Sequence, residues 1–140
     1  MTDALYQSAI LAHAKAAVGA GRLDQAHASA TVDNPLCGDR VTVEVSLDDG
    51  RIAALAHVVR GCVLCHATAS VLSSHAVGLN AAELHRIAQQ FAAMIRNGGQ
   101  VPAAWPVLQD FHPVRAAKSR HECVLLPFEA AEKAVTLAAG

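Results

Sequence analysis

The most regular alternation in the chain runs through Val41, Val43, Val45 and Leu47, with Thr42, Glu44 and Ser46 between them. A period of two puts each set on its own face of a strand, here an apolar inner face and a wet outer one. Asp48, Asp49 and Gly50 favour a tight turn, and Arg51 to Arg60 then returns as the second arm of a hairpin. A weaker alternation, Ala26, Ala28, Ala30 and Val32 against His27, Ser29 and Thr31, predicts a further strand from Ala26 to Val32. Elsewhere the period becomes helical. Leu5, Ala9, Ala12 and Ala16, with Tyr6, Ile10 and Ala17 beside them, predict a first helix capped by Thr2 or Asp3 and ended by Gly19 and Gly21. A second is expected from Cys65 or His66 to about Val77, with Ala67, Val71 and Leu72 inward and Gly78 stopping it. The strongest stripe is Leu84, Ile87, Ala88, Phe91, Met94 and Ile95, behind an Asn80 and Glu83 cap and before Asn97, Gly98 and Gly99. A last helix is expected from about Ala117 to Ala138, carrying Cys123, Leu126, Ala130, Ala134 and Leu137. Pro127 has no amide to give the carbonyl of Cys123, which predicts a kink or restart. Between the last two helices, Gln100 to Pro113 holds three of the five prolines and Trp105 and reads as an irregular packed loop.

At 140 residues these elements make one domain, 1–140, with a core of its own. The formal net charge of -1 and the scattered basic residues give no reason to expect nucleic acid or a membrane as a partner. Arg115, Lys118 and Arg120 form a mild basic cluster, read as a solvated face or a docking surface for an acidic partner. The apolar N-terminal stretch carries Asp3, lacks Lys or Arg ahead of it and is interrupted by His13 and Lys15, unlike a secretory signal. A soluble, cytoplasmic protein is the expectation. Glutathione keeps thiols reduced there, so four cysteines read better as ligands or reactive thiols than as disulfides.

Those cysteines are Cys37, Cys62, Cys65 and Cys123. Asn34, Pro35 and Gly38 predict a turn with Cys37 at its tip and Asp39 at the head of the next strand. The 24 residues between Cys37 and Cys62 are what two strands and one turn require, so the hairpin should return Gly61 and Cys62 to the Cys37 and Asp39 corner. Cys62 and Cys65 then fall at a helix N-terminus, where the dipole and open amides favour thiolate. Three thiolates and a carboxylate suit a tetrahedral metal, zinc foremost, and thiolates also suit iron and its sulfide clusters. Oxygen matches such a cluster less well than sulfur, so the Asp39 position should exchange more easily.

The order NPLCGDRV, GCVLCHATAS and RHECVLLPFEA resembles the iron-sulfur cluster assembly scaffolds, the NifU, IscU and SufU group. The similarity runs from about Leu5 to the C-terminus. It implies an α+β fold, a small three-stranded antiparallel sheet covered on one face by helices. It also implies that Cys37, Asp39, Cys62 and Cys123 hold a nascent cluster, a [2Fe-2S] form above all, or a zinc ion, while a cysteine desulfurase supplies persulfide sulfur. Arg120 matches a basic position of the family and is a candidate stabiliser of a thiolate or persulfide. Glu122 replaces the histidine that the IscU branch has before the third cysteine, and PVRAAKSR replaces its chaperone signature. The 60 residues between Cys62 and Cys123 look like the SufU branch, whose members resemble zinc-dependent sulfur acceptors. Cys65 belongs to neither pattern and reads as a spare ligand, a sulfur relay or a packed apolar filler.

The function expected is a non-enzymatic scaffold and sulfur acceptor that passes its cluster to apo iron-sulfur proteins, with Cys123 the first candidate to accept sulfur. A zinc-dependent sulfurtransferase is the alternative, and a structural zinc domain the third. Asp39 has a simpler reading as a turn cap. His66 reads as a helix-start residue, His121 as that or a ligand, and the other histidines as surface.

Overall fold

Two residues with positive φ, Asp49 (54°) and Gly50 (77°), close the hairpin between β2 (Asp39–Asp48) and β3 (Arg51–Arg60). That combination matches the right-handed twist of the strands it joins. β1 (Ala28–Asn34) lies on the other side of β2, giving an antiparallel sheet of order β1-β2-β3. The computed structural model describes residues 8–35 and 38–139. Asn34 pairs with Asp39 across the short connection, and the Gly38 amide bonds the Asn34 carbonyl at 2.8 Å.

The alternation sets the inner face of the sheet: Ala30, Val41, Val43 and Val45 are buried, with Leu55 and His57 on β3 opposite Val45 and Val43. Against this face lie α2 (Val63–His75) and α4 (His121–Ala139), while α3 (Ala81–Asn97) packs on α4 and α1 (Ser8–Ala16) on α2. The chain is thus α+β, a three-stranded antiparallel sheet with helices. The α3 stripe is buried as the period requires, from Leu84 to Ile95. It begins in a capping box of Asn80 with Glu83 and ends on Gly98 at φ 75°.

Several expectations move. β1 starts and ends two residues later than Ala26 to Val32. The outer face of β2 is not wet throughout: Glu44 is buried there, accepting the Leu23 amide at 2.8 Å and facing Arg22, because the segment before β1 crosses that face. The proline-rich stretch is not a loop to its end, since Pro106–Ala116 is 3-10 helical, with Leu108, Phe111 and Val114 buried. Phe111 meets Phe91 edge-on, and Trp105 and Phe91 both pack against Phe128. A 3-10 turn, Lys118–Arg120, leads into α4, which therefore starts at His121 rather than Ala117 and runs through the buried Pro127 without a restart. The expected first-helix cap at Thr2 or Asp3 lies outside the described residues. No helix among the described residues is long and apolar enough to cross a membrane.

Candidate metal and sulfur site

Asp39 opens β2, and ten residues of β3 bring the chain back to it, Arg40 pairing with Arg60. Gly61 follows and lies against the Asp39 carboxyl group. Cys62 comes next, in extended backbone as the residue before α2. The helix therefore begins at Val63, two or three residues earlier than the periodicity indicates. α4 supplies the third group: its start at His121 puts Cys123 in the first helical turn. One donor atom from each of Asp39, Cys62 and Cys123 lies within 4.8 Å of the others. The return of Cys62 to Asp39 follows from the hairpin, as read from the sequence; Cys37 lies outside the described residues.

The spacing can be compared with what a metal needs. Ligands ~2.3 Å from a tetrahedral centre stand ~3.7 Å apart. The Cys62 Sγ and Asp39 Oδ2 are 3.9 Å apart, so the pair fits without rearrangement. Two sulfurs and a carboxylate oxygen are also the donors that zinc or ferrous iron accepts.

Electrostatics favour a thiolate. The Cys62 thiol is pushed down to about 6, first because the Cys123 thiol hydrogen-bonds to it. Burial opposes that, the Cys65 and Leu64 amides at the open end of α2 assist, and the Asp39 charge works against it. No side-chain cap hydrogen bond closes at Cys62, so those amides act as nearby dipoles. At neutral pH a thiolate thus sits beside a carboxylate with only 4% of its surface exposed, a concentration of negative charge that a cation would relieve.

The remaining sequence candidates divide. Cys62 is half-buried, while Cys65 and Cys123 have no exposed surface, and all three are thiols rather than disulfides. Cys65, in the first turn of α2, is not in the three-donor group. Arg120 ends the turn just before α4, three residues ahead of Cys123, and is half-buried. His121 gives its Nε2 hydrogen to the Arg115 carbonyl at 3.0 Å, which makes it a tie between the 3-10 segment and α4. The expectation of surface histidines fails at His57. It is 3% exposed, hydrogen-bonded to Ser73 Oγ at 2.9 Å, with its backbone amide and carbonyl taken by Gly19 and Gly21. β3 reads apolar on both sides of His57, so the sequence did not reveal which face it would occupy.

Residues 5–110 match the family described as the NifU-like N terminal domain. A crystal structure of a nitrogen-fixing NifU-like protein (N-terminal) from Brucella abortus superposes with a TM-score of 0.93 at 32% identity, over 99% of this chain and 96% of that one. FiSufU, from the SUF system of Fervidobacterium islandicum AW-1, gives 0.88 over 96% of this chain and 99% of that one; at 23% identity it speaks for the fold. The iron-sulfur cluster assembly scaffold protein IscU of Streptococcus pyogenes serotype M1 is 29% identical over 99 residues, 71% of this chain. The matched stretch spans 61% of that relative, less than two thirds of its length. With the matched residues covering most of the chain, including Asp39 and Cys62, the protein belongs to the NifU-like N terminal domain family.

Proposed function

We propose that the chain is a scaffold and sulfur acceptor in iron-sulfur cluster assembly, with the cluster as its cargo. The observation that carries this is the convergence of Asp39, Cys62 and Cys123 from three separate elements to within 4.8 Å. Cys37, on the connection next to Asp39, is the proposed fourth ligand, and Asp39 the one that exchanges. Persulfide sulfur would come from a cysteine desulfurase and the finished cluster, a [2Fe-2S] form, would go to apo iron-sulfur proteins in the cytoplasm. Cys62 is the thiol that an incoming persulfide reaches, being partly exposed. Cys123, the first choice on sequence grounds, has no exposed surface and would share sulfur with Cys62 through their contact. Arg120 would stabilise the charged sulfur ahead of α4.

The 3.9 Å donor spacing also supports a second reading, in which one zinc ion is held by the same residues and orients a cysteine for sulfur transfer. The two are separated by metal analysis of protein purified without chelator, then anaerobic incubation with ferrous iron, cysteine and a desulfurase. A visible sulfide-to-iron chromophore that passes to an apo-acceptor, and is lost in Cys62→Ala or Cys123→Ala, establishes the scaffold. Near-stoichiometric zinc with desulfurase stimulation and no chromophore establishes the sulfurtransferase. Neither metal nor chromophore would remove the site.

A further inference from the structure

Cys65 has no place in the donor group, yet its position is chemically specific. Cys62 is the residue before α2 and Cys65 lies in its first turn, so only Val63 and Leu64 separate two thiols at one helix end. Helical Cβ atoms tilt toward the N-terminus, which directs the Cys65 side chain back toward Cys62. At this spacing the two Cα atoms stand ~5 Å apart, inside the ~4.4 to 6.8 Å that a disulfide bridges. The Cys65 amide already lies near the Cys62 sulfur. The segment runs directly from the end of β3 into the helix, so the pair is presented at a strand-to-helix junction with one thiol reachable and the other sealed in the core.

A persulfide delivers sulfur at the oxidation level of elemental sulfur, whereas a cluster is built from sulfide. Two electrons per sulfur are therefore required. We propose that Cys65 supplies them with Cys62: its thiol attacks the inner sulfur of a Cys62 persulfide, forming the Cys62 to Cys65 disulfide and expelling the outer sulfur as sulfide. The bond broken is the persulfide S–S bond, the bond formed is the disulfide, and the Cys65 proton leaves with the sulfide as hydrogen sulfide. If Cys65 first takes the outer sulfur, the return attack of Cys62 gives the same products. A dithiol reductant then restores both thiols for another round. This inference rests on the sulfur-acceptor reading above, since it needs a persulfide on Cys62.

The test follows one round without external thiol. The full chain is loaded anaerobically in two parallel ways, by a desulfurase with cysteine and by inorganic polysulfide, then desalted. Released sulfide is measured and tryptic peptides are weighed. Cleavage after Arg60, Arg86, Arg120 and Lys133 puts Cys62 and Cys65 in one peptide and Cys123 in another. Wild type should release sulfide and leave the 61–86 peptide lighter by two hydrogens. Cys65→Ala and Cys65→Ser should keep the added sulfur atom and release sulfide at least roughly tenfold more slowly until dithiothreitol is added. The wild-type peptide map decides the matter even if either variant folds poorly. Retention of sulfur by polysulfide-loaded wild type, a disulfide to Cys123 instead, or equally fast release from a folded variant overturns the proposal. If the desulfurase fails to load the chain but polysulfide-loaded protein releases sulfide through the 62 to 65 disulfide, the acceptor reading falls and the Cys65 chemistry stands.

Discussion

A β-carbon on residue 61 would lie 2.6 Å from Asp39 Oδ1, so Gly61 is the space in which the Asp39 carboxylate stands. The nearest atoms, Oδ1, Cγ and Cβ, all belong to the Asp39 side chain, which is buried and a candidate metal donor, not a surface tip that can swing away. Gly61→Ala should therefore displace the carboxylate with little cost to the backbone. We expect zinc affinity to fall by about 10 to 100-fold, the range seen when a ligand's support is altered. Competition against a chromophoric chelator measures it, and an unchanged affinity would show that Asp39 is not a ligand.

The hydrogen bond from Cys123 dominates the lowered pKa of Cys62. In metal-free protein, alkylation of Cys62 by iodoacetamide should rise with an apparent midpoint near the value of about 6 given by this environment. Cys123→Ala removes the donor and should move the midpoint up toward ordinary thiols, while Cys123→Ser retains a donor and should shift it less. Mass spectrometry of the 61–86 peptide across pH reads both. A midpoint unmoved in Cys123→Ala would assign the effect to the helix end instead.

His57 couples the fold to pH. Burial first, and the nearby His66 second, lower its pKa from 6.5 to about 4. The unfolded chain thus binds a proton between these values that the native chain does not. Stability is fully present above about pH 6.5 and is lost as pH falls toward 4. Between pH 7.5 and pH 5 the loss from this residue should be about 2 kcal/mol. Urea unfolding at the two pH values checks it, and His57→Gln should lose correspondingly less over the same interval.

Thr68, on the buried side of α2, has a hydroxyl with no hydrogen-bond partner among the described residues. A buried polar group left unsatisfied costs about 1 to 3 kcal/mol. Thr68→Val replaces the hydroxyl by a methyl of similar shape and should raise the melting temperature, with a gain of about 1 kcal/mol. A lower melting temperature would mean that the hydroxyl is served by a buried water.

What could be read from the sequence was whatever a local period or a turn dictates. The α3 stripe, the Asn80 cap and the β2 to β3 hairpin all follow from residues near one another, and the hairpin alone predicts that Cys62 returns to Asp39. The approach of Cys123 was carried by resemblance, since no local pattern brings residue 123 to residue 62. Misplacements arose where distant segments decide. Glu44 is buried by a strand-preceding segment, and His57 by Ser73 and the Gly19 backbone. The start of α4 moved because Ala117 to Arg120 has helical composition but is wound as a tighter turn.

The three donors come from elements far apart in sequence, Asp39 and Cys62 being 23 residues apart and Cys123 lying on the last helix. An ion held by all three is a cross-link, and it closes the chain into loops that the empty protein leaves open. In the scaffold proposed above, filling the site would clamp the head of β2, the start of α2 and the start of α4 together, and emptying it would unclasp them. Cargo and rigidity would then arrive and leave at once. A recipient that draws out the cluster would meet a looser corner afterwards than before, so that each handover changes the mechanical state of the giver; limited proteolysis around 35–40 and 117–123 should be slower in loaded protein than in empty protein.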